Sequence, residues 1–208
     1  MVIIINDIRR VRSSCCITDD NGNEYWLRQD DLYDSGFCTG QEYDQDEFIK
    51  RIRLYQYPRA LNHAVAMLAR RPCSRKEIRS RLIRLRYTED TADLVIYRLE
   101  KEKLVDDELF CEQWIRFRLG RRYGPSVIRY ELKMKGIPDD VISSAFSLIE
   151  PDDEQDNAFQ LAVKALKRTD QNDDIRKKRR KVIASLVRKG YDWETAQAAF
   201  EKAVKENK

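Results

Sequence analysis

The sequence predicts a mainly α-helical protein in which three tandem three-helix repeats form an elongated array, preceded by a small β-rich N-terminal segment. Apolar positions recur in register, with Leu82, Leu132 and Leu186 separated by 50 (132 − 82) and 54 (186 − 132) residues. Repeats of this length are typical of stacked helical units. The chain before them instead carries strand and hairpin signals. We therefore divide the chain into a β-rich cap and three repeats, at residues 1–50, 51–105, 106–155 and 156–208.

The N-terminal segment contains four short runs rich in β-branched or aromatic residues. Asn21-Gly22 separates the last two of them, and this dipeptide favours a two-residue type I′ hairpin turn. The runs are Val2–Ile5, Ile8–Val11, Cys15–Asp20 and Glu24–Arg28. A helical pattern follows over residues 46–57, and we expect it to end before Pro58, because proline removes an interior hydrogen bond.

The second repeat carries the clearest helix signals. Asp106 and Asp107 are predicted to cap its first helix, because aspartate accepts hydrogen bonds from unpaired helix N–H groups. An apolar stripe at helical spacing follows, which predicts a core face. Gly124-Pro125 then ends this helix and begins the next. The stripe consists of Phe110, Trp114, Ile115 and Phe117.

The later helices of the three repeats align without gaps. In the second helices Ile78, Ile128 and Val182 share a column, and in the third helices Ala92, Ile142 and Ala196 do so. The second helix should end in a left-handed residue, for which Gly136 and Gly190 are suited. Arg86 holds this position in the first repeat, where a side chain costs about 1 kcal/mol. That turn is predicted to be either strained or differently closed.

Charge divides along the chain, although the formal net charge is only +4. Ten acidic residues lie between Asp19 and Glu47 against the single Arg28, whereas the repeats are rich in arginine and lysine. Clustered cations attract polyanions or an acidic protein groove. Tyr123 joins the candidates because its ring could stack on a base or a partner, although it could equally brace the turn. The candidate partner- or DNA-binding residues are Arg79, Arg84, Arg118, Arg121, Arg122, Tyr123, Arg129, Lys133, Lys135, Lys178, Arg179 and Arg180.

Several classes of protein are disfavoured. No apolar run approaches the roughly 20 residues of a membrane span, and Val2–Ile5 is too short for a signal peptide. Five cysteines form no Cys-x-x-Cys pair and are accompanied by one histidine, which disfavours a disulfide framework or zinc site and favours the cytoplasm. A phosphate loop and a nucleophile–base pair are also missing, so we expect neither an enzyme nor a cofactor.

Two stretches resemble the RecX regulatory proteins of bacteria. The first is the second repeat, from Leu104-Val105-Asp106-Asp107 through Trp114 and Gly124-Pro125 to Lys135-Gly136-Ile137. The other is Ala69-Arg70-Arg71-Pro72-Cys73-Ser74-Arg75-Lys76-Glu77-Ile78, which opens the first repeat. The resemblance covers about residues 60 to 207, and Arg86 departs from the glycine usual in the family.

The resemblance implies a non-enzymatic protein that binds the RecA recombinase filament and restrains it. Such proteins are thought to lie along the helical groove of the filament and to contact neighbouring protomers. We further expect a monomer that binds single- or double-stranded DNA weakly and without sequence preference.

The alternative is a stand-alone DNA-binding protein built from helix-turn-helix-like units. A base reader concentrates arginine, asparagine and glutamine on one recognition helix and commonly works as a dimer. The cations here are spread over all three repeats. This distribution favours binding along a groove.

Overall fold

Helices dominate the structure, and the predicted fold class of helical repeats after a small β-rich segment is confirmed. A computed structural model describes residues 1–148, 151–170 and 172–206, without the side chains of residues 151–153. The chain forms two units, Met1–Asp106 and Asp107–Lys208. The first holds the N-terminal sheet and the first repeat, and the second holds the other two repeats.

The N-terminal strands form one antiparallel sheet in the order β3-β2-β1-β4. Its inner face buries Ile3, Ile5 and Ile17 against Phe48 and Ile52 of the long helix that follows the sheet. A short helix between β3 and β4 was not predicted from the sequence. The elements are β1 (Val2–Val11), β2 (Ser14–Asp19), β3 (Glu24–Arg28), α1 (Gln29–Ser35) and β4 (Glu42–Asp44).

The predicted β2–β3 hairpin is present, but the predicted type I′ turn is wrong. Only Gly22 in this turn has a positive φ (80°), whereas a type I′ turn requires two such residues. The buried Asp19 carboxylate accepts from the backbone N–H groups of Asn21 (2.9 Å) and Asn23 (2.8 Å). These bonds stabilise a longer loop, in which the N–H of Gly22 donates to the carbonyl of Asp19 at 3.1 Å.

Helix α2 spans Gln45–Leu68 and passes through Pro58, so the predicted end before that proline is wrong. Interior proline costs about 3 kcal/mol. The helix buries residues on both sides of it, with Phe48 and Ile52 in the sheet core and Ala60 and Ala64 in the first repeat. Burial of one large apolar side chain contributes about 1.5–3 kcal/mol, so this packing outweighs the lost hydrogen bond.

Each repeat contains three helices with their own core. The first uses α2 with α3 (Arg75–Arg84) and α4 (Glu89–Lys101). The second consists of α5 (Asp107–Gly120), α6 (Pro125–Met134) and α7 (Asp139–Ser147), and the third of α8 (Pro151–Leu166), α9 (Ile175–Arg188) and α10 (Trp193–Glu206). Since α2 and α8 run across two of the boundaries drawn from the sequence, that division stays a prediction.

The aligned columns lie inside these cores. Leu82, Leu132 and Leu186 are fully buried, and the columns headed by Ile78 and Ala92 are buried with them. Because α3, α6 and α9 present the same positions inward, the periodicity identified the buried face of each second helix correctly.

Leu132→Ala should lower the free energy of unfolding by about 2–5 kcal/mol, as truncation of a buried leucine does. Its neighbour Lys133 is exposed and forms a surface ion pair with Asp139 at 2.8 Å, so Lys133→Ala should cost under about 0.5 kcal/mol. Chemical denaturation of both variants checks the pair. Equal losses would contradict the helix phase of α6.

The three second helices end with the same hydrogen bond. The carbonyls of Leu82, Leu132 and Leu186 accept from the N–H five residues later, at 3.2, 3.1 and 3.3 Å. The left-handed residue before each donor is Arg86 (φ 70°), Gly136 (φ 83°) or Gly190 (φ 96°). The first repeat therefore closes like the others, with a strained arginine in place of glycine.

Gly136→Ala should destabilise the protein by about 1 kcal/mol or more, because a Cβ is disfavoured at positive φ. Arg86→Gly should be neutral or stabilising for the same reason. Thermal melts of the two variants check this expectation. A strong destabilisation by Arg86→Gly would show that the arginine side chain supports the fold.

Candidate functional site

Aromatic rings on helix α5 lie close to cationic side chains. The Lys135 Nζ lies 4.1 Å from the ring centroid of Trp114, and the Arg121 guanidinium lies 4.3 Å from that of Phe117. Phe110 and Ile115 are buried as predicted, but Phe117 is 46% exposed, so its placement in the core was wrong. The apolar stripe is wider than the face of α5 that packs inward, and its edge forms a cation-covered surface.

Tyr123 lies in the turn between α5 and α6, within reach of two cations. The Arg118 guanidinium and the Lys189 Nζ lie 3.7 and 3.8 Å from its ring centroid. A hydrogen bond with Lys189, together with the charges of Lys189 and Arg118, lowers the pKa of Tyr123. The ring is thus engaged by side chains of the second and third repeats, which supports its role as a brace.

Arg118 is largely enclosed, with its side chain 13% exposed. It pairs with Glu131 of α6, and the same carboxylate accepts the indole N–H of Trp114 at 3.0 Å. Arg118 therefore ties α5, α6 and the Tyr123 ring together. Its position suits holding the turn in shape.

Gly124 and Gly190 join the second and third repeats through a close backbone contact. The N–H of Gly124 donates to the carbonyl of Lys189 at 2.8 Å, and that of Ser126 donates to Gly190 at 3.1 Å. A Cβ on Gly124 would lie 2.4 Å from the Gly190 backbone, and one on Gly190 would lie 2.6 Å from the nitrogen of Val127. Neither position admits a side chain without separating the repeats.

A basic groove of about 450 Å³ lies beside this junction. Seven of its lining residues are arginine or lysine, and none is acidic. One of them, Lys181, is paired with Asp173 at 2.6 Å. Such a concentration of cations creates a positive potential that favours an anionic ligand. The seven cations are Arg121, Arg122, Lys164, Arg168, Lys181, Arg188 and Lys189.

The structure brings some of the predicted residues together and separates others. Arg118, Arg121, Arg122, Tyr123 and Lys135 lie on the surface just described. The remaining candidates lie elsewhere: Arg79 and Arg84 on α3, Arg129 and Lys133 on α6, and Lys178, Arg179 and Arg180 on α9.

Some of these outlying candidates are engaged by neighbours, as Lys133 is by Asp139. Arg79 contacts Asp93 at 2.7 Å and Glu89 at 3.0 Å, and these carboxylates raise the pKa of its guanidinium. The Arg129 guanidinium lies 4.2 Å from the ring centroid of Phe146. Any role of these residues in binding stays a prediction.

The sequence interpretation missed five groove residues, Lys164, Arg168, Lys181, Arg188 and Lys189. A usable signal was present. Lys181 and Arg188 are seven residues apart on α9 and share one helix face, and Lys164 lies on α8 four residues before Arg168, which follows that helix. A helical projection of α9 would have shown this basic face, although not that Lys164 and Arg168 lie beside it.

Further observations concern the cysteines, metal-binding clusters and membrane-spanning helices. Four of the five cysteines are buried, and Cys38 is exposed. Within the described ranges, no cluster of three or more histidine, cysteine, aspartate or glutamate residues could hold a metal ion. In the same residues no helix is long and apolar enough to cross a membrane.

The fold and this surface define a helical-repeat protein with a strongly cationic face. Family models match it in order, with the first, second and third three-helix domains of RecX covering residues 60–99, 106–145 and 152–200. The chain belongs to the RecX family.

Curated relatives agree. The regulatory protein RecX of Prosthecochloris aestuarii is 35% identical over 147 residues, which cover 69% of this chain and 92% of that protein. The regulatory protein RecX of Mycolicibacterium smegmatis is 36% identical over 139 residues, covering 64% of this chain and 73% of that one.

Two solved structures share the fold. A crystal structure of RecX from Lactobacillus salivarius has a TM-score of 0.64 at 26% identity and covers 71% of this chain and 96% of its own. Another, a crystal structure of regulatory protein RecX, has a TM-score of 0.65 at 21% identity and covers 96% of this chain and 99% of its own. The latter match includes most of the N-terminal segment.

Proposed function

We propose that this protein binds the RecA recombinase filament and restrains its ATP hydrolysis and strand exchange during recombination and repair. Membership of the RecX family supports this role. The observation that carries it is the cationic surface of the second unit, where the basic groove and the cation-covered face of α5 adjoin the same turn. The protein acts by binding and not by catalysis, as a monomer in the cytoplasm.

Avidity explains how such a surface would act on a filament. Repeats that each contact one subunit raise the effective concentration of the next contact, so several weak sites give tight binding. Guanidinium groups suit this role because they form bidentate contacts with carboxylates and phosphates. The surface can therefore contact acidic patches on the recombinase and DNA within the filament.

Naked DNA should bind weakly and without sequence preference. The groove offers point charges for phosphates, and base readout requires side chains that reach base edges from one recognition helix. A tight footprint on one sequence that persists at high salt would favour the DNA-reader alternative.

Changing Arg121, Arg122 and Arg129 together to alanine tests the proposal. The three substitutions remove cations and leave the core of Ile128 and Leu132 intact. Inhibition of RecA-driven ATP hydrolysis and strand exchange should fall at least about tenfold, since each lost contact also weakens its neighbours. Circular dichroism should be unchanged.

The matched control removes the same charge elsewhere. Arg10, Lys50 and Lys101 are exposed and line neither the basic groove nor the face of α5. Their alanine variant should inhibit as the parent does. Full inhibition by the folded variant would mean that neither Arg121 and Arg122 of this surface nor Arg129 on α6 contacts the filament.

A further inference from the structure

A second cleft, in the first unit, lies between the N-terminal sheet and the first repeat. Its volume is about 680 Å³, within the range of sites that hold small molecules. The β1–β2 turn and the end of β3 line one side, and α2 and the turn after α3 line the other. Its polar and aromatic lining includes Arg12, Arg28, Arg86, Trp26, Tyr55 and Tyr87.

A buried glutamine fixes the shape of this cleft. Gln56 of α2 is 2% exposed, and its amide N–H donates to the carbonyl of Trp26 at 2.9 Å. Its carbonyl oxygen accepts from the N–H of Thr88 at 2.9 Å and the hydroxyl of Thr91 at 3.0 Å. One side chain thus holds the sheet, α2 and the start of α4 together. The walls of the cleft are therefore preorganised.

The cationic side chains of the cleft are of two kinds. Arg59 forms two hydrogen bonds with Asp31, at 3.0 and 2.9 Å, so its charge is balanced. Arg12, Arg28 and Arg86 form no ion pair with a carboxylate in the part of the chain that the structure describes. The cleft accordingly carries excess positive charge that a bound anion would balance.

Backbone strain at two of these arginines is an independent observation. Arg12 (φ 56°) and Arg86 (φ 70°) both adopt the left-handed conformation. A Cβ is disfavoured in this conformation, and glycine holds the equivalent of Arg86 in the other two repeats. Strained non-glycine residues cluster at functional sites, so an arginine kept at such a position suggests a role for its side chain.

Aromatic rings accompany the free cations. The Arg86 guanidinium lies 5.5 Å from the ring centroid of Trp26, and the hydroxyl of Tyr87 is hydrogen-bonded to Nδ1 of His63 at 2.9 Å. Bases stack favourably on aromatic rings, whatever their identity, because every base has a π face. An acidic peptide without aromatic residues would use the arginines but has no flat ring to place on these side chains.

We propose that this cleft binds a nucleoside phosphate, with the base against the aromatic wall of Trp26 and Tyr87 and the phosphate held by Arg12, Arg28 and Arg86. The nucleotide could be free or part of an unpaired strand, since both present a base and a phosphate. The proposal does not depend on the recombinase, because it concerns the cleft of the first unit alone.

Photolabelling of the full chain tests the proposal. The probes are azido-adenosine triphosphate and a short oligothymidine strand that carries iododeoxyuridine, and mass spectrometry locates the labelled peptides. Labelling of peptides that contain Trp26, Tyr55 or Tyr87 by either probe supports the proposal. The probe that labels them, called the reactive probe below, shows whether the cleft takes a free nucleotide or an unpaired strand. Labelling confined to other peptides overturns it.

Affinity measurements on variants complete the test. Changing Arg12, Arg28 and Arg86 together to glutamine should weaken binding of the reactive probe at least about tenfold, since charge-assisted contacts to phosphate are lost. The Arg10, Lys50 and Lys101 alanine variant should bind within about twofold of the parent, since those exposed cations do not line the cleft. Unchanged affinity of the glutamine variant overturns the proposal.

Arg86→Gly separates binding from folding. Glycine relieves the left-handed strain, so the variant should melt at or above the temperature of the parent while it binds the probe several-fold more weakly. Undiminished binding by this variant contradicts the assigned role of Arg86. A polyglutamate peptide that binds the cleft while both nucleotide probes do not would replace the nucleotide with an acidic protein segment.

Discussion

Gly190→Ala should destabilise the second unit by about 2–4 kcal/mol. Left-handed strain contributes about 1 kcal/mol, and forcing an extra carbon into a packed contact contributes about 1–3 kcal/mol. Here the obstacle is backbone, since the new Cβ would lie 2.6 Å from the nitrogen of Val127. Chemical denaturation followed by circular dichroism measures the loss.

Substitutions at two other glycines distinguish backbone strain from steric collision. Gly124→Ala adds a Cβ only 2.4 Å from the Gly190 backbone but has no positive φ, so it isolates the collision. Gly22 has a φ of 80° and open space around its Cβ position. Gly22→Ala should therefore lower the free energy of unfolding by about 1 kcal/mol from strain alone. If Gly190→Ala lowers the free energy of unfolding no more than Gly22→Ala does, the close contact between the repeats does not contribute to stability.

A third glycine controls for the substitution itself. Gly120 lies at the end of α5 with nothing near its ideal Cβ position. Gly120→Ala should be neutral or stabilise the protein by up to about 1 kcal/mol, because alanine favours helix and restricts the unfolded chain.

The repeats were predictable because their signals are local. Apolar residues at helical spacing recur in Leu82, Leu132 and Leu186, and each of these leucines is buried. Gly136 likewise follows from the need for a left-handed residue after a helix. Such features depend on a few neighbouring residues and can therefore be predicted from the local sequence.

Features that depend on distant parts of the chain were missed. Gly124 and Gly190 were assigned to ending helices, whereas the structure also uses them for a backbone contact across 66 (190 − 124) residues. Pro58 was expected to stop α2, but burial on both sides outweighs a local preference. Tertiary packing decided these cases, and no local pattern encodes it.

The basic groove is a further case of this kind. Its cations come from the end of α5 and from α8 and α9, and the most conspicuous basic run, residues 176–181, supplies only Lys181. Charge density along the sequence indicated cations in all three repeats but not which of them converge. Convergence of cations on a groove, and not their number in a segment, should control binding to a polyanion.

Replacing Arg121, Lys164, Arg168 and Arg188 with glutamine should therefore nearly abolish the weak binding to single-stranded DNA that accompanies the proposed function. Each phosphate contact contributes about 0.7 to the slope of log affinity against log salt, so loss of four contacts should reduce the slope by about 3. At moderate salt this corresponds to at least about a hundredfold loss of affinity. Fluorescence anisotropy with labelled oligothymidine over a salt series measures both quantities.

The matched comparison changes Arg176, Lys178, Arg179 and Arg180 to glutamine, which removes the same charge from α9 but from none of the lining positions of the groove. Long-range attraction falls equally in both variants, because it depends on net charge and is screened within about 10 Å at ordinary salt. Only the groove variant should lose a large part of the salt slope, since only there are phosphates held in contact. If the α9 variant instead loses the slope and the groove variant retains it, phosphates bind along the exposed run that includes the sequence-predicted Lys178, Arg179 and Arg180, and the groove is a solvated gap between repeats.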